Sequence, residues 1–227
     1  MKIKIFSRRV GINYVYLIKA EGWMIVDVGP GFTLPRIKRW FASLSLDPQE
    51  VKLIVLTHAH FDHAGAIAGV KKLTGAQVAI HHSEGEMLRT GTTPLPTPGT
   101  PWGKIWLAVA KPILAAIQYP GVEPDIIIGD EGMALDEFGI PGWIFHTPGH
   151  TYGSLSVLLE NGDAFVGCLT HNGPPFRLSP NYPIFVDDLE QLWSSWKTLL
   201  DQGAQTIYPG HGKPFPVSEM LKIIPNK

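Results

Sequence analysis

Residues 57–65 hold the feature that most constrains this chain, a cluster of metal-ligand side chains. Three histidines and an aspartate, His58, His60, Asp62 and His63, fall within six residues. The apolar, β-branched run at 51–56 before them predicts a buried strand, and the residues after them, through Leu73, predict a helix. Imidazoles and a carboxylate converging where a strand meets a helix are what a borderline divalent metal such as zinc requires.

Two later segments place a single histidine beside a Pro-Gly turn. His150 follows Pro148-Gly149, and His211 follows Pro209-Gly210, each after a predicted strand. Glycine permits a tight backbone and proline stiffens it, so each imidazole would be held in a fixed direction. Between them, a predicted strand at 163–169 contains Cys168, the only cysteine, which is either a ligand or a small buried apolar residue.

These motifs resemble those of the metallo-β-lactamase superfamily, in the same order and over nearly the whole chain. His58, His60, Asp62 and His63 match the family's His-x-His-x-Asp-His motif, and His150 and His211 match its later histidines. Asp27 lies in a segment, 26–29, that is similar to the first motif, where an aspartate supports the metal-binding loop. The resemblance implies an α+β fold, a four-layer αββα sandwich of two mixed β-sheets, and the activity of a metallo-hydrolase.

Cys168 departs from the usual family pattern, which has an aspartate bridging two metals at that position. One subgroup of true β-lactamases uses cysteine there, but it usually lacks the equivalent of His63 and carries a lysine where this chain has His171. A thiolate favours zinc over manganese or magnesium. The resemblance therefore implies one or two zinc ions, although the fold also accepts iron and manganese.

The resemblance also implies a mechanism. The hypothesis places a first metal on His58, His60 and His150 and a second on Asp62, His63 and His211, with Cys168 near or between them. A metal-bound hydroxide would attack a carbonyl, and Asp62 would orient it and carry a proton to the leaving group. The expected reaction is hydrolysis of an ester, thioester, lactone or amide bond of a small molecule.

Four alternatives remain open from the sequence. A glyoxalase II-like thioesterase would carry an additional C-terminal helical domain, and a secreted β-lactamase would carry an export signal, whereas residues 1–9 lack a signal-peptide core. An iron oxygenase resembling persulfide dioxygenases would have aspartate in place of Cys168. A metal-binding protein without turnover would be supported only by that unusual cysteine.

Composition limits the organisation and partners of the chain. Its 227 residues, 44% of them hydrophobic, predict one compact domain over 1–227. The 19 basic and 20 acidic residues form no basic stripe, which argues against a nucleic-acid partner. A single thiol and the absence of a signal-peptide core favour the cytoplasm.

The segment at about 89–124 is predicted to be an apolar, lid-like insertion. It is too short, and too interrupted by Lys111-Pro112, for a membrane span. It is either a helix packed on the core or a lid beside the metal site, and it could also form a homodimer contact. Trp102, Trp106 and Tyr119 would suit an apolar substrate or a partner surface.

Other candidate residues carry weaker signals. The loop at 172–185 is expected to form a second wall of the site, where Arg177 would meet a substrate carboxylate if it is not simply a surface residue. His171 is a candidate for the substrate pocket. His81 and His82 are interpreted as supporting or surface groups and His146 as structural.

The hydrophobic pattern predicts the remaining elements. Strands are expected at 2–6, 13–20, 23–28, 51–56, 77–80, 125–128, 143–145, 154–159, 163–167 and 206–208. Helices are expected at 34–44, 187–200 and 217–224.

Overall fold

A computed structural model of the protein describes residues 2–225, and its first β-sheet comes from the first part of the chain. The sheet has the order β1-β2-β3-β4-β5-β6. β1 to β3 form an antiparallel meander, and β3 to β6 are parallel. The strands are β1 Lys4–Val10, β2 Asn13–Lys19, β3 Trp23–Val26, β4 Val51–Val55, β5 Gln77–His81 and β6 Ile126–Ile128.

The second sheet comes from the later part of the chain, in the order β12-β11-β10-β9-β8-β7. Only β10 and β11 are parallel neighbours; the other pairs are antiparallel. The strands are β7 Met133–Ala134, β8 Gly142–His146, β9 Leu155–Leu159, β10 Asp163–Asn172, β11 Thr206–Gly212 and β12 Phe215–Pro216.

Helices cover the outer faces of both sheets. Ile37 and Phe41 of one helix and Val70 of another pack on the first sheet, while Leu192 and Trp196 pack on the second. The α-helices are α1 Leu34–Ser43, α2 Phe61–Ala64, α3 Ile67–Thr74, α4 Gly85–Thr90, α5 Pro101–Leu114, α6 Leu189–Asp201 and α7 Ser218–Leu221.

A third apolar cluster lies between the two sheets. Met24 and Val26 of the first sheet belong to the same buried cluster as Ile144, Val157 and Phe165 of the second. Strands buried on both faces read as continuous apolar runs, which explains why 51–56 shows no alternation. The predicted four-layer αββα architecture is confirmed.

Several predicted boundaries were wrong for local reasons. The helix expected from the histidine cluster through Leu73 is two helices, α2 and α3, separated at Gly65 and Ala66. A Cβ atom at Gly65 would lie 2.2 Å from the Phe61 carbonyl oxygen, so this junction requires glycine. β10 was expected to end between Gly167 and Leu169 but continues to Asn172, which places His171 within the strand as well.

Pro112 does not interrupt α5 as the sequence suggested. The helix continues to Leu114, so Pro112 lies in its last turn and the helix ends two residues after it. Between residues 2 and 225, no helix combines the length and apolar character needed to cross a membrane.

Candidate metal centre

The predicted ligands converge at one edge of the sandwich, where both sheets contribute. The loop after β4 brings four of them, the turn after β8 brings one, and β10 and β11 bring one each. Six of the seven predicted ligands are buried residues, and Asp62 is the exception. The ligands brought together are His58, His60, Asp62, His63, His150, Cys168 and His211.

One group of donor atoms lies on the side of the site nearest the turn after β8. His58, His150 and Cys168 each offer a ligand atom within 4.8 Å of the others. His60 adjoins them, because its Nδ1 atom lies 3.2 Å from His150 Nε2. The three histidines are those predicted to bind the first metal, and the cysteine sulfur lies beside them.

A second group of donor atoms lies beside the first and shares its cysteine. His63, Cys168 and His211 also offer ligand atoms within 4.8 Å of one another, and the Cys168 sulfur is 3.1 Å from His63 Nε2. Asp62 Oδ2 lies 3.3 Å from His211 Nε2 and 3.8 Å from His63 Nε2. Cys168 therefore lies between the two groups.

Hydrogen bonds to the outer ring nitrogens fix which imidazole atoms face the centre. Nδ1 of His150 lies 2.9 Å from the Phe185 carbonyl oxygen, and Nδ1 of His211 lies 3.1 Å from that of Ile12. A carbonyl only accepts, so each Nδ1 donates and each Nε2 of the neutral ring presents a lone pair inward. His63 donates its Nδ1 proton to Asp27 in the same way, at 2.7 Å.

Ring nitrogens that converge on one point form an arrangement that suits a bound cation. His63 Nε2 and His211 Nε2 are only 3.4 Å apart. His58 Nε2 is buried without a hydrogen-bond partner, while its Nδ1 lies 3.0 Å from the Thr57 hydroxyl. Orphaned buried nitrogens are costly in a folded protein unless an ion satisfies them. The residues present therefore fit a divalent metal, with nitrogen and sulfur donors of the kind that zinc prefers.

Asp27 holds the metal-binding loop from behind. Its carboxylate accepts the Thr57 backbone N–H at 2.8 Å, the Thr57 hydroxyl and the His63 ring N–H. Its φ of 58° is in the left-handed region, which aspartate and asparagine tolerate better than most residues. This geometry agrees with the supporting role that the first motif implied.

We predict that Asp27→Asn weakens metal binding without unfolding the protein. Asparagine tolerates the same backbone conformation, but it lacks the negative charge that polarises His63. Loss of such outer partners typically costs about 10- to 100-fold in metal affinity. Competition for zinc against a chromophoric chelator measures the change, with Asn161→Asp in an exposed turn as a control; equal affinities in wild type and Asp27→Asn would contradict the prediction.

Glycine lets β10 approach the metal-binding loop closely. Gly167 has a φ of +50°, and a Cβ atom there would lie 2.4 Å from Thr57 Oγ1. The pairing of β10 with β11 is irregular around this residue. The irregularity turns the next residue, Cys168, toward the histidines.

The environment of Cys168 favours the thiolate. Burial raises the pKa of the thiol, but the adjacent His63, His211 and His150 lower it well below its ordinary value. Conversely, burial lowers the pKa of His211, while the Cys168 thiolate and Asp62 raise it to about 9. A deprotonated sulfur among imidazoles is the form that binds metals.

Asp62 is held as a carboxylate. Burial alone would raise its pKa, but His63 and His211 bring the pKa well below its usual value. Asn13 donates from Nδ2 to Asp62 Oδ2 at 3.2 Å. Sequence reasoning missed Asn13, whose only signal was a polar residue at the start of an otherwise apolar strand.

Three further residues hold the metal-binding loop by hydrogen bonds, Tyr119 and Thr93 from the predicted lid segment and Glu84 from just before it. The Tyr119 hydroxyl donates to the Ala59 carbonyl at 2.8 Å, and Thr93 Oγ1 accepts the Phe61 N–H at 3.0 Å. Glu84, buried, accepts the Ala59 N–H at 2.9 Å. Tyr119 therefore serves the loop rather than an apolar substrate surface, and only the structure reveals these long-range contacts.

An apolar pocket with a volume of about 70 Å³ opens over the metal-ligand cluster. Trp106 and Leu114 of the 89–124 segment line one side, and Phe176 and Phe185 of the 172–185 loop line another. The remaining lining residues are Ile12, Phe61, Thr93, Pro94 and Pro96, together with His60, Asp62, His150, Cys168, His171 and His211.

The two weaker pocket candidates have different surroundings. His171 is buried and lines the pocket; burial lowers its pKa to about 4, and both ring nitrogens lack hydrogen-bond partners. Arg177 is not among the pocket-lining residues: its Nε donates to the Tyr182 carbonyl, and its guanidinium lies over the Tyr182 ring. We therefore assign Arg177 no part in the proposed substrate site.

Comparisons with known proteins agree with this geometry. The sequence model described as Metallo-beta-lactamase superfamily matches residues 8–211. The human protein named Acyl-coenzyme A thioesterase MBLAC2 is 26% identical over 243 residues, covering 93% of this chain and 77% of that protein. Probable metallo-hydrolase YflN of Bacillus subtilis is 36% identical over 236 residues, covering 90% of this chain and 82% of that protein.

Solved structures show the same fold. BLEG-1 B3 metallo-beta-lactamase superimposes with a TM-score of 0.70 at 20% identity, covering 99% of this chain and 98% of its own. A metallo-β-lactamase of Cronobacter sakazakii superimposes with a TM-score of 0.66 at 23% identity, covering 91% and 74%.

The fold and the site define the class of protein, a metal-binding hydrolase. The chain belongs to the metallo-β-lactamase superfamily.

Proposed function

We propose that the protein is a zinc-dependent hydrolase that cleaves a thioester or related ester with an apolar acyl portion. The observation that carries this proposal is the apolar pocket directly over a buried cluster of metal ligands. The human relative named as an acyl-coenzyme A thioesterase supports the same substrate class.

Six residues are proposed to hold two metal ions, with a seventh between them. His58, His60 and His150 would bind one ion and Asp62, His63 and His211 the other, with Cys168 shared. When bound, such ions supply an activated water at neutral pH and polarise a carbonyl oxygen. The convergence of imidazole nitrogens and a thiolate supports zinc over magnesium or manganese.

Asp62, positioned by Asn13, is proposed to carry out proton transfer during hydrolysis. The Asp62 carboxylate reaches the pocket and is charged, so it can orient the attacking water and accept its proton. Asn13 holds one carboxylate oxygen by its amide N–H and so fixes the direction of the other. Asp62 can then return the proton to the leaving thiolate or alkoxide.

His171 is proposed to bind substrate within the pocket. Its ring is neutral near pH 7, because burial lowers its pKa to about 4. Its two ring nitrogens have no partner in the protein, so one can donate and the other accept a hydrogen bond from a substrate.

Activity against a substrate panel tests the reaction class. The panel comprises acetyl- and dodecanoyl-coenzyme A, a hydroxyacylglutathione, an acyl lactone and a β-lactam. Hydrolysis of the acyl thioesters with the highest kcat/KM is the expected result. Preference for the β-lactam, or no thioester turnover by the zinc-loaded protein, would overturn the proposal.

Removal of Trp106 tests the acyl pocket. Trp106 contacts Phe176 and Phe185 and lines the pocket, so Trp106→Ala deletes part of the apolar wall. Loss of roughly 2 kcal/mol of apolar contact predicts about a 30-fold higher KM for a dodecanoyl thioester and little change for an acetyl thioester.

Trp102→Ala is the matched control in the same helix. Trp102 is 47% exposed and does not line the pocket. Equal effects of the two variants on both thioesters would contradict an acyl-binding role for Trp106.

We expect metal content to depend on Cys168. On protein purified without added metal, elemental mass spectrometry should give close to two zinc ions per chain at this centre for wild type and for Cys168→Asp, and about one for Cys168→Ala. A wild-type content of one zinc ion or less per chain, rising to two in Cys168→Asp, would show that the cysteine weakens zinc binding at one of the two positions.

A further inference from the structure

A second cluster of imidazoles lies apart from the metal centre and joins the two sheets. His81 ends β5 in the first sheet, and His146 ends β8 in the second. Their rings stack at 4.1 Å with an interplanar angle of 11°. Asp130, in the loop after β6, places its carboxylate beside both rings.

The donor atoms of this cluster lie at metal-ligand spacing. Asp130 Oδ1 is 3.0 Å from His81 Nε2 and 3.4 Å from His146 Nδ1. His81, Asp130 and His146 each offer one ligand atom within 4.8 Å of the others. His82 adjoins them at the surface, with its Nε2 3.3 Å from the same carboxylate oxygen.

Hydrogen bonding fixes the inward atom of His146. Its Nε2 lies 2.8 Å from the Tyr152 carbonyl oxygen, which only accepts, so Nε2 carries the proton. In the neutral ring, Nδ1 is therefore a lone pair, and it faces the Asp130 carboxylate. Two electron-rich atoms in that position attract a cation, whether a proton or a metal ion.

His81 is oriented in a complementary way. Its Nδ1 lies 2.9 Å from the Ser83 hydroxyl oxygen, which can accept a proton from Nδ1, and its Nε2 faces Asp130 at 3.0 Å. Burial and the neighbouring His146 lower its pKa to about 4, which leaves the ring neutral near pH 7. Outer hydrogen bonds of this kind orient ligating histidines.

We propose that His81, Asp130 and His146 form a second, structural site for a divalent transition-metal ion such as zinc. Two imidazoles and a carboxylate suit zinc, copper or nickel and do not suit magnesium or calcium. His81 would bind the ion through Nε2 with its ring proton on Nδ1, where the Ser83 hydroxyl oxygen can accept it, and the ion would tie β5 to β8. His82 would remain at the rim as an additional donor. The proposal does not depend on the catalytic reaction.

Zinc titration of the intact protein tests this site. Isothermal titration calorimetry and elemental mass spectrometry should find one more zinc ion per chain in wild type than in His146→Gln. Asp130→Asn, at a mostly exposed position, should lower the affinity of that ion by at least about 10-fold. Turnover of a thioester should stay within about twofold in both variants.

Thermal unfolding and cobalt spectra provide independent measurements. With free zinc about 100-fold above the dissociation constant, the melting temperature of wild type should rise about 5 °C more than that of His146→Gln. The visible absorption spectrum of cobalt(II)-substituted His146→Gln should lack one set of bands that the wild-type spectrum shows. Asp136→Asn, an exposed carboxylate nearby in the sequence, should behave as wild type.

Identical zinc stoichiometry and cobalt spectra in wild type, His146→Gln and Asp130→Asn would overturn the proposal. Circular dichroism of the metal-free variants checks that each is folded. If His146→Gln does not fold, the Asp130→Asn result decides, because that substitution removes only the charge of a surface group.

Discussion

Replacing Asp62 with asparagine should lower kcat for a thioester about 1,000-fold while much of the bound metal remains. The carboxylate lies in the pocket, and His63 and His211 keep it ionised. Asparagine has nearly the same size but cannot accept the proton of the attacking water. General acid–base groups typically contribute about 100- to 10,000-fold, so the loss should appear in kcat more than in KM.

Steady-state kinetics on the zinc-loaded variant measures this effect, with metal content determined on the same sample. Asp136→Asn, an exposed carboxylate far from the ligand cluster in sequence, is the matched control. Turnover of Asp62→Asn within tenfold of wild type, at equal zinc content, would rule out its role in proton transfer. A fall that follows metal loss alone would identify Asp62 as a ligand without a separate catalytic role.

Removing the metal should abolish turnover and lower the melting temperature by roughly 10 °C. A bound ion would satisfy the His58 nitrogen, which has no hydrogen-bond partner, and would bind the ring nitrogens of His63 and His211, which lie 3.4 Å apart. An ion at about 1,000 times its dissociation constant stabilises the fold by about 4 kcal/mol, and each kcal/mol shifts the melting temperature of a chain of this size by about 2–4 °C.

Dialysis against a chelator, followed by differential scanning calorimetry and a thioester assay, tests this expectation. Restoring zinc should recover both the melting temperature and the activity, whereas magnesium should recover neither. Retention of activity by protein with no detectable metal would contradict the entire assignment of the site. An unchanged melting temperature would contradict the stabilising role of the ion.

The sequence predicted the architecture because its strongest signals were local. The apolar run before His58 and the Pro-Gly turns before His150 and His211 specify strands and turns over a few residues. The superfamily resemblance then supplied the four-layer arrangement, which periodicity alone could not. Boundaries failed where a tertiary contact overrode the pattern, as at Gly65, where close approach of the backbone separates two helices.

The ligand set was predictable from the sequence, but its supporting contacts were not. Asn13, Glu84 and Tyr119 act on the metal-binding loop through hydrogen bonds to residues far away in the chain. No local pattern distinguishes them from ordinary buried or loop residues. The same holds for His81 and His146, which the sequence indicated were unrelated supporting or structural groups and which only sheet packing brings together.

The division of the ligands between the two sheets has a consequence for biosynthesis. During synthesis the first four ligands leave the ribosome early, whereas His150, Cys168 and His211 emerge much later. Cys168 and His211 come together only when β11 pairs with β10. An ion captured by the nascent chain would hold only the incomplete loop between β4 and α3. We therefore expect tight and selective metal binding only after the second sheet has been synthesised. The folded chain would then determine which metal binds, and the metal would not be needed to start folding.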